Sequence, residues 1–345
     1  MLAKPFSEYM HDWLYGDDGY YTHHRTIGKE GDFYTAVSTS MFFGGSIAKR
    51  ILDTIESGFL SPTCSVVEIG AHKGYLLADI VQFIYTLKPS LLETLSFVIV
   101  EPFVENRNIQ KAYFEEAFGE AIKLLHVKNL EELFLQEAFF VANEIFDAFP
   151  CEVIKEHEML MVEDNRLFFA TMDEKTKSLA DRYAITKGEV PVGYELFAEQ
   201  MVKSCQKFEF FSFDYGDKNA RNDFSLRVYA EHKVYPFFAL SDMVEDEKMR
   251  EKSNFSAFFG KSDITYDVNF SHLIGAFEQN GAKIHRYSSQ MSALVAFGLI
   301  ELLDMLYQKS SKAQYEKEAN RAKTLIDPAF MGERFKMVCF RKEEK

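Results

Sequence analysis

The sequence is short of several things, and each shortage excludes something. Tryptophan occurs once, at Trp13, against 34 Phe and 17 Tyr. Cys64, Cys151, Cys205 and Cys339 are the four cysteines. They are too scattered for a metal-ligand set or a disulfide framework, and most sit in apolar surroundings where cysteine serves as a small buried residue. Positive charge is scarce: 39 Lys and Arg face 53 Asp and Glu, a formal net charge of −14. A nucleic-acid backbone needs clustered cations, so this balance argues against such a partner and favours a neutral or basic one, such as a basic protein segment. Long hydrophobic runs are missing too. The most apolar stretch, 293–300, is cut by Glu301 and Asp304 and is too short to cross a bilayer. The opening residues Met1 to Trp13 carry Glu8, His11 and Asp12 and resemble neither a secretory signal nor a transit peptide. The cytoplasm is the expected compartment. Repeats and low-complexity segments do not stand out.

What is present is an ordinary globular composition, 47% apolar and 27% charged over 345 residues, enough for a large core and one or two domains. The organising stretch is Ser65-Val66-Val67-Glu68-Ile69-Gly70-Ala71-His72-Lys73-Gly74-Tyr75-Leu76-Leu77. It reads as strand, tight turn and helix, because Leu76, Leu77, Ile80, Val81 and Ile84 recur at helical spacing after the glycines. A glycine beyond a buried strand lets the backbone approach a ligand, and the next helix leaves its first amides free to donate. A second unit follows, the apolar run 95–100 ending in Glu101. A carboxylate there can accept both ribose hydroxyls of an adenosine. The turn alone is equally compatible with any α/β connection; Glu101 tilts it towards ligand binding.

A short helix is expected over residues 5–13, and Gly16 to Gly19 breaks it. The loop Gly28 to Thr35 holds Gly31, Asp32, Phe33 and Tyr34, a composition that suits either a functional loop or a turn pinned to the core by its rings. Ser38 or Ser40 can cap the next helix, which carries Phe42, Phe43, Ile47 and Ile51. Helix 103–118 leads to a strand near 122–127. The run Ala138 to Ala142 then ends in Asn143-Glu144-Ile145-Phe146-Asp147. Ligands in open α/β sheets lie beyond the C-terminal strand ends, so Asn143, Glu144 and Asp147 are site candidates unless they simply cap a turn. Residues 151–206 read as an insertion with strands 153–162 and 167–172 around a hairpin, then a helix 195–203. Another buried strand, 208–216, ends in Asp214-Tyr215-Gly216. Beyond it, 226–238 looks extended, 244–252 a charged helix, 271–279 a helix, 282–287 a strand and 290–306 one long helix. The last strand, 335–341, suits an antiparallel addition to a parallel sheet.

These stretches together resemble the MidA family of class I S-adenosylmethionine-dependent methyltransferases, whose mitochondrial members are complex I assembly factors that methylate a protein arginine. The match covers nearly the whole chain. It includes Gly19-Tyr20-Tyr21, Gly31 to Thr35, Ser40 to Gly44, Glu68 to Leu76, Asn143 to Pro150, Asp214-Tyr215-Gly216, Tyr229 to His232, Asp263-Ile264-Thr265, Val268-Asn269-Phe270 and Gln290. The resemblance implies an α/β, Rossmann-like class I methyltransferase sheet, mostly parallel with a C-terminal antiparallel strand. An N-terminal helical extension over 1–63 would serve as cofactor lid, and the methyltransferase domain over 64–345 would carry insertions at about 151–206 and 217–262. S-adenosyl-L-methionine is the implied cofactor, with Glu68, Gly70 and Gly74 at its methionine end, Glu101 on its ribose, Gly31, Asp32 and Phe33 closing over it, and Asn143 on the floor. Glu144 and Asp147 would hold the cation of an arginine on a protein substrate, a complex I-type subunit in the mitochondrial members. His232 is an available proton acceptor, and equally a structural histidine. One departure is plain: the family's turn typically reads Glu-Leu-Gly-Pro-Gly-x-Gly, and this chain has Ala71 and His72 for the proline and middle glycine. Two alternatives stand beside arginine methylation, another methyl acceptor and a non-catalytic assembly protein on the same fold. A nicotinamide dehydrogenase fits less well, because the glycine spacing differs.

Overall fold

Strands that are apolar along their whole length need cover on both faces. In the computed structural model, which describes residues 3–22, 35–230, 233–240 and 257–344, the apolar runs assemble into one sheet. Its strands are β1 (Ser65–Ile69), β2 (Ser96–Val100), β3 (Leu124–Val127), β4 (Leu135–Asn143), β5 (Cys205–Asp217), β6 (Lys283–Ser289) and β7 (Phe335–Lys342). They lie in the order β6-β7-β5-β4-β1-β2-β3, and the short strand Val268–Asn269 pairs with the end of β5. The pairs from β3 across to β5 are parallel, whereas β7 is antiparallel to both its neighbours. The last strand is therefore antiparallel, as expected, and is inserted between β5 and β6 rather than added at the edge.

The chain divides into two compact units, one of residues 35–144, 198–215 and 277–345, the other of 1–34, 145–197 and 216–276. The first holds the sheet with α1 (Phe42–Glu56), α2 (Tyr75–Leu87), α3 (Val104–Phe118), α4 (Gln290–Ala296), α5 (Leu299–Lys309) and α6 (Lys312–Ile326). Phe42, Phe43, Ile47 and Ile51 of α1 share a core with Leu76 and Ile80 of α2 and Phe211 and Phe213 of β5. Burial of that stripe places α1 in the sheet unit, whose first segment begins at residue 35. The abundance of phenylalanine is explained here as well: Phe139 lies against Phe211 at 5.4 Å, Phe43 against Phe213 at 4.9 Å, and Phe277 stacks on Phe340 at 4.0 Å. Glu209 on β5 is fully buried and is held by Arg50, Arg341 and Thr54.

The second unit gathers helix Phe6–Tyr15, a sheet in which Lys4–Pro5, Glu158–Glu163, Cys151–Lys155 and Lys187–Pro191 follow one another, with Arg166–Thr171 on Glu158–Glu163, and a small sheet of Lys233–Pro236, Arg227–Ala230 and Asp263–Thr265. The Trp13 indole is buried and donates to the Ser262 carbonyl at 2.7 Å.

Three expectations need correction or completion. The strand expected over 153–162 is two strands, turned at Glu156 with φ 57°; the charged run Lys155 to Glu158 prefers solvent and bends there. The long helix expected over 290–306 is α4 and α5, bent by 58°. Gly298 lies between them in the left-handed conformation (φ 84°) that ends one helix and starts the next. The expected helix 244–252 lies outside the described residues, as do Gly31, Asp32, Phe33 and His232.

Candidate active site

Register brings the site candidates into line. Ile69 of β1 sits opposite Val100 of β2 and Ala142 of β4. Gly70, Glu101 and Asn143 are each the next residue, so three separate sequence signals meet along one C-terminal edge of the sheet. The backbone closes the row: the Gly70 amide donates to the Val100 carbonyl at 3.3 Å, Glu101 to Val127 at 2.9 Å and Glu144 to Phe213 at 2.8 Å.

The turn after β1 is built by left-handed residues, Gly70 at φ 72°, His72 at 47° and Gly74 at 81°. Gly74 is the N-cap of α2 and has no side chain with which to cap it. Glu68 supplies the missing acceptor, taking the Leu77 amide on its carboxylate at 3.0 Å. Glu68 thus shapes the turn from beneath. Burial pushes its carboxyl up to about 8, with Asp79 and Glu101 adding to the rise against the Leu77 hydrogen bond. Burial also lifts Asp79, on α2, to about 7.

Glu101 is 3% exposed. One carboxylate oxygen accepts the Phe103 amide at 3.1 Å, and the other accepts from Gln110 at 3.3 Å. Burial raises its pKa, while hydrogen bonds from Phe103, Asn106 and Gln110 and the charge of Arg107 oppose the rise. Asn143 donates to the Glu144 carboxylate at 2.8 Å. Its own side-chain oxygen is buried and has no hydrogen-bond partner among the described residues. Glu144 is left-handed at φ 54°, a costly conformation for a residue with a Cβ and one that concentrates at functional positions.

The donor set fits an adenosine-bearing sulfonium amino acid: a fixed carboxylate for the ribose, a close-approach turn above a helix N-terminus, and the unsatisfied Asn143 oxygen, an acceptor suited to an ammonium. The left-handed φ of His72 gives the reason for the family's middle glycine at that place.

Asp147 belongs to the second unit, in the turn Phe146–Ala148. It is buried there, and its carbonyl accepts the Tyr266 amide at 3.1 Å. Asp263 lies in the same unit, 1% exposed, and takes the Tyr21 hydroxyl at 2.9 Å. The Tyr15 ring stacks on Tyr21 at 5.6 Å. Burial raises the pKa of both phenols, and the negative charges of Asp263 and Asp147 raise them further. Asp147, Asp263, Tyr15 and Tyr21 therefore form one acidic, aromatic cluster. Its sequence signal was available in Gly19-Tyr20-Tyr21 and Asp263-Ile264-Thr265, which carry the resemblance but no assigned role. Gln110 was missed altogether, although it and Phe114, four residues apart, are the only fully buried side chains of an otherwise polar α3.

Comparisons with known proteins agree with this geometry. The family model described as "Putative S-adenosyl-L-methionine-dependent methyltransferase" matches residues 46–288. The chain is 23% identical over 95% of its length, and 79% of the relative's, to the mitochondrial protein arginine methyltransferase NDUFAF7 of Rattus norvegicus. It is 22% identical to the protein of that name from Homo sapiens, over 95% and 78%. A crystal structure of a superfamily member from Burkholderia thailandensis, bound to S-adenosyl-homocysteine, superposes with a TM-score of 0.78 at 23% identity, over 99% of this chain and 88% of that one. The sheet order, the strand-end constellation and the family match converge, and the chain belongs to the MidA family of S-adenosyl-L-methionine-dependent methyltransferases.

Proposed function

We propose that this protein transfers a methyl group from S-adenosyl-L-methionine to an arginine of a protein substrate. The observation that carries the proposal is the cluster of Asp147 and Asp263 with Tyr15 and Tyr21, only three residues along the chain from Glu144. A guanidinium is planar and cationic, and it is recognised best by paired carboxylates and by aromatic faces. Curated relatives named protein arginine methyltransferases, similar over 95% of the chain, support the same acceptor. The net charge of −14 suits a basic substrate segment.

When bound, the cofactor supplies an activated methyl group whose bond to sulfur breaks as the nitrogen–carbon bond forms. The chain's own task is to hold and align. Glu101 takes the ribose hydroxyls, the turn from Gly70 to Gly74 admits the amino-acid end, and Asn143 accepts from the ammonium. The carboxylates of Asp147 and Asp263 hold the guanidinium, and one of them takes the proton its nitrogen loses. Alignment alone is worth many orders of magnitude in rate.

The test is transfer of labelled methyl to arginine-bearing and lysine-bearing basic peptides, with Glu101→Ala and Asp147→Asn beside the wild type. Arginine-specific labelling is expected, lost in Glu101→Ala together with cofactor binding. In Asp147→Asn labelling should fall at least tenfold with cofactor binding retained. Equal labelling of lysine peptides would refute the assigned acceptor. A second reading, an assembly protein that has lost catalysis, draws on His72, a side chain in a backbone conformation suited to glycine. Absence of cofactor binding by the folded wild type would favour it.

A further inference from the structure

Gln110 is completely buried on α3, and all of its hydrogen bonds are directed at the cofactor edge of the sheet. Its amide nitrogen donates to the His72 carbonyl at 2.8 Å and to the Glu101 carboxylate at 3.3 Å. Its amide oxygen faces His126 Nε2, on β3, at 3.0 Å. The nitrogen sits between two acceptors, so the orientation of the amide is set, and the oxygen must be the acceptor in the third contact. His126 consequently carries its proton on Nε2. Gln110 Cγ also lies 3.5 Å from where a Cβ on Gly74 would stand, so this side chain underlies the turn as well as tying it. One residue joins the loops after β1 and β2 to the strand β3.

Its neighbours leave Glu101 little freedom. The Phe103 amide holds one carboxylate oxygen, and Arg107 donates to the Glu101 and Pro102 carbonyls at 2.7 and 2.8 Å. The backbone is fixed by Arg107 at the start of α3, and one oxygen from within the loop by the Phe103 amide. The second oxygen is fixed from outside by Gln110.

We propose that Gln110 is a positioning residue for cofactor binding: it aims the Glu101 carboxylate at the ribose hydroxyls and locks the glycine turn to it, with His126 holding its amide oxygen. The inference rests on Glu101 being the ribose acid, and the experiment separates the two.

Dissociation constants are measured by calorimetry for S-adenosylhomocysteine and for its 2′,3′-dideoxy analogue, with wild type, Gln110→Met, His126→Phe and Glu101→Gln. Methionine retains the length and packing of glutamine without its hydrogen bonds. The expected result is about tenfold weaker binding of S-adenosylhomocysteine by Gln110→Met, the scale of one hydrogen bond to a charged group, and less than about a twofold change for the dideoxy analogue. His126→Phe, at a partly buried position where folding is safer than at Gln110, should show the same ribose-dependent pattern at about threefold. Equal losses for both ligands would reduce Gln110 to a structural role and overturn the proposal. Unchanged binding by a folded variant would overturn it too. If Glu101→Gln leaves the preference for the hydroxylated ligand intact, the assignment of Glu101 falls and this inference falls with it; if Glu101→Gln abolishes the preference and Gln110→Met does not, the inference alone fails.

Discussion

Replacing Glu68 by glutamine should make the protein more stable at neutral pH, by an amount the structure sets. The carboxyl titrates near 4.5 when free and near 8 in the folded chain, where burial is the main cause. Below the lower value both states hold the proton. Between the two values the folded state keeps a proton that the unfolded state has lost, so stability falls as pH rises and levels off above the folded value. At about 1.36 kcal/mol per pKa unit, the loss approaches roughly 5 kcal/mol across the window and about 3 kcal/mol by pH 7. Glutamine keeps the shape and an oxygen to accept the Leu77 amide, and it does not titrate. The stability difference between Glu68→Gln and wild type should therefore be smallest near pH 4.5 and grow steadily in favour of the variant towards pH 8. Asp79, also lifted by burial, titrates in both proteins, and only its coupling to Glu68 enters the difference. Urea unfolding followed by far-ultraviolet circular dichroism is the assay, since the single tryptophan, Trp13, reports on the other unit. A difference that stays constant from pH 5 to pH 8 would refute the reasoning, because Glu68 would then titrate alike in both states.

His72→Gly should leave stability within about 1 kcal/mol, since relief of a left-handed backbone is offset by a more flexible unfolded chain, and cofactor affinity by calorimetry should stay within about threefold. A loss beyond about tenfold would mean that the imidazole itself holds the ligand. Glu209→Ala should cost about 3–5 kcal/mol in urea unfolding, because Arg50 and Arg341 would lose the buried carboxylate that both of them hold; a cost below about 1 kcal/mol would show the pair to be solvated in its absence. Tyr21→Phe removes the hydroxyl that donates to Asp263, and methyl transfer to an arginine peptide should fall through a raised KM for peptide with cofactor affinity unchanged. A change in cofactor affinity instead would detach this cluster from the acceptor side.

Much of the sheet was legible because its signals are local. An apolar run that ends in glycine or beside an acid can be read as a buried strand without knowing its neighbours, and β1, β2, β4 and β5 are legible in that way. Breaks that rest on one residue's backbone were harder to see. Gly298 splits the apolar stretch that reads as one helix, and Glu156 turns what reads as one strand.

The sequence by itself determined the glycine turn, the acid thirty residues on and the Asn-Glu-x-x-Asp motif, and with them the family, because those residue types are needed wherever a backbone must approach a ligand and a carboxylate must meet a ribose. Only the tertiary structure decided which of them act together. Parallel register set Gly70, Glu101 and Asn143 side by side, whereas Glu68 turned inward to cap α2 and Asp147 joined Asp263 and the tyrosines in the other unit. Gln110 shows the difference most plainly. Its sequence position carries no motif, and its part depends wholly on three partners that are remote along the chain or on another element, His72, Glu101 and His126. A hydrogen bond of about 3 Å between such residues exists only once helix and sheet have packed.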